Sequence, residues 1–208
     1  MVPTKQEFEN VLIERHTLPV HEKLKNAKIA IAGIGGLGSN IAVSLARIGV
    51  GHLFVVDFDA VDMSNLNRQQ YYYRQLGMSK TDAITEIIHE INPYIDVKSK
   101  TVKVTEANAA EIFGGYGIVC EAFDRAENKA MLINTLMSAY PDMKIISGSG
   151  MAGYLSSNTI QTRRVMKNLY ICGDGVTDSA EVNGLMAPRV AICANHQANM
   201  VVRLLCDG

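Results

Sequence analysis

Short apolar runs alternate with helical periodicities along most of this 208-residue chain. The first run, 28–33, ends in glycine and predicts a buried parallel strand. A second apolar run, 53–56, ends at Asp57 and predicts another strand. Between these runs the apolar residues recur at the spacing of one helix face: Ile41, Leu45 and Ile48.

The same alternation continues through the middle of the chain. An isoleucine stripe at helical spacing predicts a helix that Pro93 stops, and its residues are Ile84, Ile87, Ile88 and Ile91. A third strand is predicted from Ile95 to about Ser99, with Ile95 and Val97 on one face. Further on, the pattern predicts strands at 116–122 and 144–147 and a helix at 126–139 between them.

Strands and helices that alternate at this scale predict an α/β fold with a doubly wound, mostly parallel, Rossmann-like sheet. Residues 1–27 are polar and irregular, with helical pieces. The segment 153–186 holds a possible antiparallel strand and then a loop rich in glycine and aspartate, so we expect a C-terminal antiparallel extension. A last helix is predicted from Pro188. With no linker-like stretch, 1–208 is predicted to be a single domain.

Composition narrows the class of protein. The chain is 48% hydrophobic and 20% charged with a net charge of -1, so no basic field suggests binding to nucleic acid or to a membrane surface. The N-terminus lacks the apolar region of a signal peptide, and no apolar run approaches the roughly 18 residues of a membrane span. We therefore expect a cytoplasmic protein.

The cysteines point to the same compartment. They lie far apart and form no CxxC pair, which argues against a zinc site and a disulfide framework and suits a reducing cytoplasm. The four are Cys120, Cys172, Cys193 and Cys206.

A glycine-rich loop follows the first predicted strand. Its sequence matches G-x-G-x-x-G with glycines at Gly33, Gly35, Gly36 and Gly38. Glycines there permit a tight turn and let the backbone approach a phosphate at a helix N-terminus. Asp57, 19 residues after Gly38, is placed to bind ribose hydroxyls. A tight turn without a ligand is the alternative, and the motif alone does not separate NAD from ATP. A Walker A loop is absent.

The segment after Asp57 is dense in carboxylates, amides and one arginine. It reads DFDAVDMSNLNRQ over 57–69. Further on, Ser79 and Asp82 form a capping box that predicts a helix start. Lys80 then lies in the first turn, where a cation is unfavourable unless an anion is near. A triphosphate would supply that anion; the alternative is an exposed lysine on a solvated turn.

Taken together, GIGGLGSN, DFDAVDMSNLNRQ, the GMSK lysine and EAFD resemble the adenylation core of the ThiF/MoeB family, relatives of ubiquitin-activating enzymes. The resemblance covers roughly 28–150. It implies an enzyme that uses ATP and Mg²⁺ to adenylate the C-terminal glycine of a ubiquitin-like sulfur carrier. The nucleophile is already an anion, so such an enzyme acts by positioning and by stabilising charge on the phosphoryl oxygens.

The resemblance also assigns roles to residues. It implies that Gly36 contacts the nucleotide and that Asp57 binds ribose, while three residues hold phosphates: Asn65, Arg68 and Lys80. Asp124 matches the position that holds magnesium. Arg68, Lys80 and Asp124 are thus the predicted catalytic set. The remaining predicted nucleotide-binding residues are Gly33, Gly35, Gly38, Asp59, Ser64 and Gln69.

Asp124 has an alternative interpretation, because with Glu127 it also forms a capping box for the helix that follows. One argument does not depend on the resemblance. The glycine loop, Asp57 and Asp124 all follow predicted parallel strands, and open α/β sheets bind ligands at the carboxyl ends of their strands.

The chain departs from many relatives of that family. It lacks their two zinc-binding CxxC pairs, so it resembles the short, zinc-less ThiF-type proteins and no zinc is expected. Of its cysteines, only Cys172 is predicted to be accessible enough to link to a carrier. Arg15 is the candidate for an arginine that reaches a partner subunit's site in a homodimer. His196 is predicted to lie on a helix face rather than to act in catalysis.

Two other functions remain open at this stage. An NAD(P)-dependent oxidoreductase would explain the glycine loop and Asp57 but not Arg68, Lys80 or Asp124. A non-catalytic, carrier-binding scaffold would not need these three residues intact. Among carriers, the resemblance favours thiamine sulfur transfer, with molybdopterin and other sulfur pathways open.

Overall fold

A computed structural model describes residues 2–177 and 184–207. The seven helices within these residues are α1 Lys5–His16, α2 Leu18–Lys25, α3 Gly36–Arg47, α4 Lys80–Ile91, α5 Glu106–Phe113, α6 Ala126–Ala139 and α7 Ala187–Cys206. The seven strands are β1 Lys28–Ala32, β2 His52–Asp57, β3 Asp96–Thr101, β4 Ile118–Glu121, β5 Lys144–Gly148, β6 Gln161–Met166 and β7 Leu169–Gly173.

All seven strands join one sheet in the order β3-β2-β1-β4-β5-β7-β6. Every neighbouring pair is parallel except β6 and β7, which are antiparallel. The predicted mostly parallel sheet with an antiparallel extension is therefore confirmed. Chain order reverses between β1 and β4, and their carboxyl ends form the crevice where open α/β sheets bind ligands.

Alternate residues of the five inner strands enter two different cores. Ile29 and Ile31 of β1 pack in a core that contains residues of α3, α4 and α7. Ala30 and Ala32 of the same strand face a second core, with residues of α5 and α6. Helices thus cover both faces of the sheet, and a buried strand must be apolar at every position, which explains the continuous apolar runs.

The structure corrects the sequence interpretation at two elements. Leu169–Gly173 is strand β7, although the second half of this segment was assigned to the glycine-rich loop. Burial of Leu169 and Cys172 and pairing with β5 determine its conformation, and both depend on contacts distant in sequence. Helix α5, Glu106–Phe113, was not predicted. The part of the predicted loop at 178–183 lies outside the described residues.

Helices and strands otherwise lie close to their predicted positions. The helix striped with isoleucine is α4 and ends at Ile91, and 126–139 is helical as predicted. Strand β3 begins at Asp96, one residue later than expected, and extends to Thr101. Within the described part of the chain, no helix combines the length and apolar character that crossing a bilayer requires.

Candidate active site

The glycine loop makes a narrow turn from β1 into α3. Gly33 has φ 89°, a conformation that favours glycine, and its N–H donates to the Val56 carbonyl at 2.8 Å. A Cβ atom at Gly38 would lie 1.8 Å from the Gly33 carbonyl oxygen. Only glycine permits this close contact between the helix and the loop. Helix α3 begins at Gly36 and directs its N-terminus towards the carboxyl edge of the sheet.

Asp57 holds this loop through its carboxylate. The Ile34 N–H donates to Asp57 Oδ2 at 2.6 Å, and the N–H groups of Phe58 and Asp59 donate to Oδ1 at 2.7 and 2.9 Å. A carboxylate offers about four acceptor positions, so one position on Oδ2 is left for a ribose hydroxyl. The sequence indicated the ribose role alone and did not indicate the bond to Ile34.

Arg68 lies over the glycine loop. Its Nη1 donates to the Ser64 carbonyl and to Asn67 Oδ1, both at 2.9 Å, and a Cβ atom at Gly36 would lie 3.6 Å from its Nε. Within the described residues, Nε and Nη2 have no hydrogen-bond acceptor. These two donors form one edge of the guanidinium fork, which suits a phosphate.

Asn40 connects the glycine loop to the Arg68 segment. Its Nδ2 donates to the Gly36 carbonyl at 2.7 Å and to the Arg68 carbonyl at 3.1 Å, and its Oδ1 accepts from Gln70 at 2.6 Å. Tyr71 adds a second connection, because its hydroxyl donates to the Ile34 carbonyl at 2.7 Å. Sequence reasoning missed both residues, although Asn40 stands within the quoted GLGSN motif.

Burial, with the nearby carboxylates of Asp57 and Asp59, raises the pKa of Tyr71 well above its ordinary range. The phenol is therefore a donor at any physiological pH, and its bond to Ile34 persists.

Two of the predicted nucleotide-binding residues, Asn65 and Ser64, are engaged inside their own loop. Asn65 Oδ1 accepts from the Asp62 N–H at 3.0 Å, and Ser64 Oγ donates to Asp62 Oδ1 at 2.7 Å. The hydroxyl and backbone bonds from Ser64 hold the pKa of Asp62 below its ordinary value. These contacts shape the turn that carries Arg68.

Gln69, in contrast to Asn65 and Ser64, has a side-chain atom without a hydrogen-bond partner. Its side chain is buried, yet Oε1 has no hydrogen-bond partner among the described residues. Its Nε2 lies 4.0 Å from where a Cβ atom of Gly35 would stand. A buried acceptor without a partner is costly, so a bound group that donates to Oε1 would offset that cost.

Lys80 is 6% exposed, so the alternative of an exposed lysine on a solvated turn is wrong. The anion beside it is Asp59, whose Oδ2 accepts from Nζ at 2.8 Å. The backbone joins the same segments, since the Lys80 N–H donates to the Asp59 carbonyl at 2.9 Å. Lysine has three ammonium donors, and two remain for phosphate oxygens.

Asp124 is exposed and follows β4. Helix α6 begins at Ala126 with Arg125 at its N-cap, and no side chain bonds to that cap. The capping-box alternative for Asp124 is therefore wrong. The preceding residues touch the glycine loop, because a Cβ atom at Gly33 would lie 3.0 Å from both the Ala122 carbonyl oxygen and Phe123 Cδ1.

Clusters of three or more potential metal-ligating side chains are absent from residues 2–177 and 184–207. A magnesium ion bound with a nucleotide needs only one or two carboxylates beside the phosphates. An exposed aspartate at the edge of this crevice fits that requirement.

The remaining sequence candidates do not join the site. Cys172 lies in β7 and is fully buried, and burial raises its pKa to about 11, so the prediction of an accessible thiol is wrong. The glycine-rich sequence after Cys172 suggested a loop, because β7 ends only one residue later, at Gly173. Arg15 is exposed on α1, and its role in a partner subunit's site stays a prediction. His196 lies on α7, as predicted, with Nδ1 3.0 Å from Thr162 Oγ1.

A groove of about 300 Å³ opens beside these groups. It runs between the Arg68 segment and the first turn of α7, with Asn40, Gln69 and Pro188 among its walls. The Asn67 side chain donates to the Leu185 carbonyl at 2.8 Å, which connects the two walls.

Comparison with known proteins assigns the chain to a family. The model of the ThiF family matches residues 9–208. Molybdopterin-synthase adenylyltransferase of Haemophilus influenzae is 34% identical over an alignment of 192 positions, gaps included, that covers 88% of this chain and 76% of that protein. Adenylyltransferase and sulfurtransferase UBA4 of Yarrowia lipolytica is 27% identical over an alignment of 218 positions, gaps included, that covers 97% of this chain and 52% of that protein.

Among solved structures, E. coli tRNA N6-threonylcarbamoyladenosine dehydratase TcdA in complex with ATP has the same fold, with a TM-score of 0.85 and 22% identity over 100% of this chain and 98% of that one. The chain spans about half the length of the Yarrowia relative, and 30% and 22% of two others. From the family match and the identity to the Haemophilus protein, this chain belongs to the ThiF family.

Proposed function

We propose that this protein binds ATP and adenylates the C-terminal glycine carboxylate of a ubiquitin-like sulfur carrier. The observation that carries the proposal is the position of Arg68. Its Nε and Nη2 are free of acceptors among the described residues, and Nε lies beside Gly36 at the start of α3. A guanidinium edge and a helix N-terminus facing the same space suit a phosphate chain.

Neighbouring groups support a nucleotide in a definite orientation. Asp57 keeps one acceptor position for ribose beside the Ile34 turn. Gln69 has a buried Oε1 without a partner among the described residues, and its Nε2 lies beside Gly35. Lys80 extends two ammonium donors from the neighbouring segment, anchored by Asp59. Ribose near Asp57 and phosphates between Arg68 and Lys80 would use these three side chains, and Gln69 Oε1 would accept from another donor of the ligand.

In the proposed reaction an oxygen of the carrier's terminal carboxylate attacks the α-phosphorus of ATP. A carboxylate–phosphorus bond forms, the bond to the bridging oxygen breaks, and pyrophosphate leaves. No base is required, because the nucleophile is already deprotonated. Arg68 and Lys80 lower the repulsion between the two anions and stabilise charge that develops on the phosphoryl oxygens.

Magnesium is the proposed metal, and Asp124 would hold it as the free carboxylate at the crevice. When bound, it would neutralise charge on the phosphates and on the departing pyrophosphate. The chain's own contribution is to present Asp124 on the turn that touches the glycine loop.

The identity of the carrier is a separate proposal. The thiamine pathway comes first, from the resemblance to short ThiF-type proteins. The Haemophilus relative is named for molybdopterin synthase, so a molybdopterin carrier is the second candidate.

We also propose a single domain over 1–208 that acts as a homodimer in the cytoplasm. Four free cysteines suit a reducing compartment.

The deciding experiment incubates the protein with MgATP labelled at the α-phosphate and with each candidate carrier. Mass spectrometry then searches for the acyl-adenylate, and a coupled assay records pyrophosphate. Arg74→Ala is the matched control for Arg68→Ala, because Arg74 is a surface arginine paired with Glu90 at 2.7 Å. Tight NAD binding without ATP binding would contradict the proposal, and ATP binding without pyrophosphate release would favour a scaffold.

A further inference from the structure

Glu121, the last residue of β4, is a fully buried carboxylate that the proposed reaction does not use. Four hydrogen bonds surround it. Lys129 Nζ lies 3.0 Å from Oε2 and 3.3 Å from Oε1, and Ser147 Oγ donates to Oε2 at 2.5 Å. The Phe123 N–H donates to Oε1 at 2.7 Å.

Stability alone is a weak reason for such a group. Well-packed apolar residues of similar volume often replace a buried ion pair without loss. One of the four bonds has a different consequence. Phe123 stands directly before Asp124, so the bond from its N–H to Oε1 determines the direction in which the chain leaves β4.

The turn lies between two parts of the candidate site. On one side, Phe123 Cδ1 would be 3.0 Å from a Cβ atom at Gly33. On the other, Lys129 of α6 draws the helix that follows the turn onto Glu121. Asp124 itself makes no hydrogen bond within the described residues. Its position is therefore determined by the turn and not by contacts of its own side chain.

We propose that Glu121, together with Lys129, is a positioning pair that holds the Phe123–Asp124 turn in place for the reaction at the crevice. The inference rests on the proposed adenylation for its effect on rate, though not for its effect on the turn. Partners that orient a metal-binding carboxylate typically change metal affinity or activity by about 10- to 100-fold when removed.

Two matched variants separate positioning from simple packing. Glu121→Leu/Lys129→Met removes both charges and also the acceptor for the Phe123 N–H. Glu121→Gln/Lys129→Met removes the charges but retains an amide oxygen as that acceptor. We expect the Gln variant to keep slow amide exchange at Phe123 in the ligand-free protein. The Leu variant should exchange Phe123 at least 10-fold faster, by hydrogen–deuterium exchange with fragmentation.

The rate of pyrophosphate release should follow the same order. The Leu variant is expected to lose about 10- to 100-fold, and the Gln variant to stay within about threefold of the wild type. In an Asp124→Asn background the two variants should release pyrophosphate at the same rate, because both substitutions at Glu121 affect the rate through Asp124. Equal exchange at Phe123 in both variants, or an unchanged difference in rate without Asp124, would overturn the proposal.

If the Leu variant does not fold, Glu121→Met/Lys129→Met replaces it, since a flexible thioether fills the same space. The same changes in exchange at Phe123 and in pyrophosphate release are then expected. A wild-type protein that adenylates no carrier would remove the proposed function. The exchange comparison would still decide whether Glu121 holds the turn.

Discussion

Lys80 and Asp59 form an ion pair with 2.8 Å between Nζ and Oδ2, in which the lysine side chain is 7% exposed and the aspartate side chain 48%. This difference in exposure has a different consequence for each member of the pair. Asp59 can be hydrated without its partner, whereas a buried Lys80 ammonium without an anion would be costly. Asp59 thus keeps a cation ready at the crevice before any phosphate arrives.

Lys80→Met should lower adenylation by about 10²–10³-fold, the usual effect of losing one preorganised donor. Stability should change little, because the remaining Asp59 carboxylate reaches water. Pyrophosphate release and thermal melting measure the two effects. Lys25→Met is the control, since Lys25 also forms an ion pair, with Glu9 at 2.9 Å, but lies on α2. Equal rate losses in both variants would contradict the role of Lys80.

Arg68→Ala should depress adenylation by a similar factor of about 10²–10³. Two of its bonds shape the loop, so part of the loss would come from movement of Ser64 and Asn67. Arg68→Lys tests whether charge alone is sufficient, because the lysine ammonium is a point charge and lacks the two parallel donors of the guanidinium group. We expect Lys to recover under a tenth of the wild-type rate in steady-state assays. Full recovery would show that charge alone suffices.

Asp124→Asn should abolish most of the activity and leave the melting temperature unchanged. The side chain caps no helix, so its removal costs no capping energy. If Asp124 holds magnesium, raising the Mg²⁺ concentration should restore part of the rate. Wild-type adenylation by the variant at low Mg²⁺ would eliminate the metal role.

Native alkylation should distinguish the four thiols. Burial raises the pKa of Cys172 to about 11 and that of Cys193 to about 12, and it raises the pKa of Cys120 still further. At pH 8 only about one Cys172 in a thousand would be a thiolate. Iodoacetamide should therefore label Cys206 first, as read by peptide mass spectrometry. Rapid labelling of Cys172 in the folded protein would reopen a covalent link to the carrier.

Stability should depend on pH through Asp174. Burial would raise its pKa, but the bonds from Thr177, Val176 and Arg189 outweigh it, and the folded-state pKa lies below the ordinary 3.8. A lowered folded-state pKa adds stability above the unfolded value, and this stability is lost as pH falls through the folded value. Arg189 is buried at 2.5 Å from Asp174.

Asp174→Asn should therefore destabilise the protein by about 3 kcal/mol at neutral pH, because it leaves a buried guanidinium without its anion. The difference from the wild type in free energy of unfolding should shrink as pH falls below 3.8. Urea denaturation between pH 3 and 7 measures it. Asp142→Asn, at an exposed pair with Lys167, should show a flat difference. A difference that does not change with pH would rule out the Asp174 mechanism.

Periodicity and glycine spacing predicted most of this fold because they are local properties. The isoleucine stripe of α4 and the loop from Gly33 to Gly38 are visible in any short window. Strand β7 escaped prediction because its conformation comes from pairing with β5 and from burial of Cys172. Its own sequence runs straight into a glycine-rich turn, which concealed it.

In the candidate site, too, residues with a local sequence signal were predicted and residues placed by distant contacts were not. Charged residues on polar segments, such as Arg68 and Lys80, were found from motif and resemblance. The residues that hold them in place were not, because a bond such as that from Asn40 to the Arg68 carbonyl joins positions 28 apart. The burial of Lys80 likewise depends on a segment 21 residues away.

The two outermost strands of the sheet, β3 and β6, carry a further consequence. Each has one side without a strand partner in the described chain, and each bears paired basic residues, Lys98 and Lys100 on one and Arg163 and Arg164 on the other. Positive charge on an open edge discourages another strand from adding to it. Self-association through a continuous intermolecular sheet is thus disfavoured at both ends.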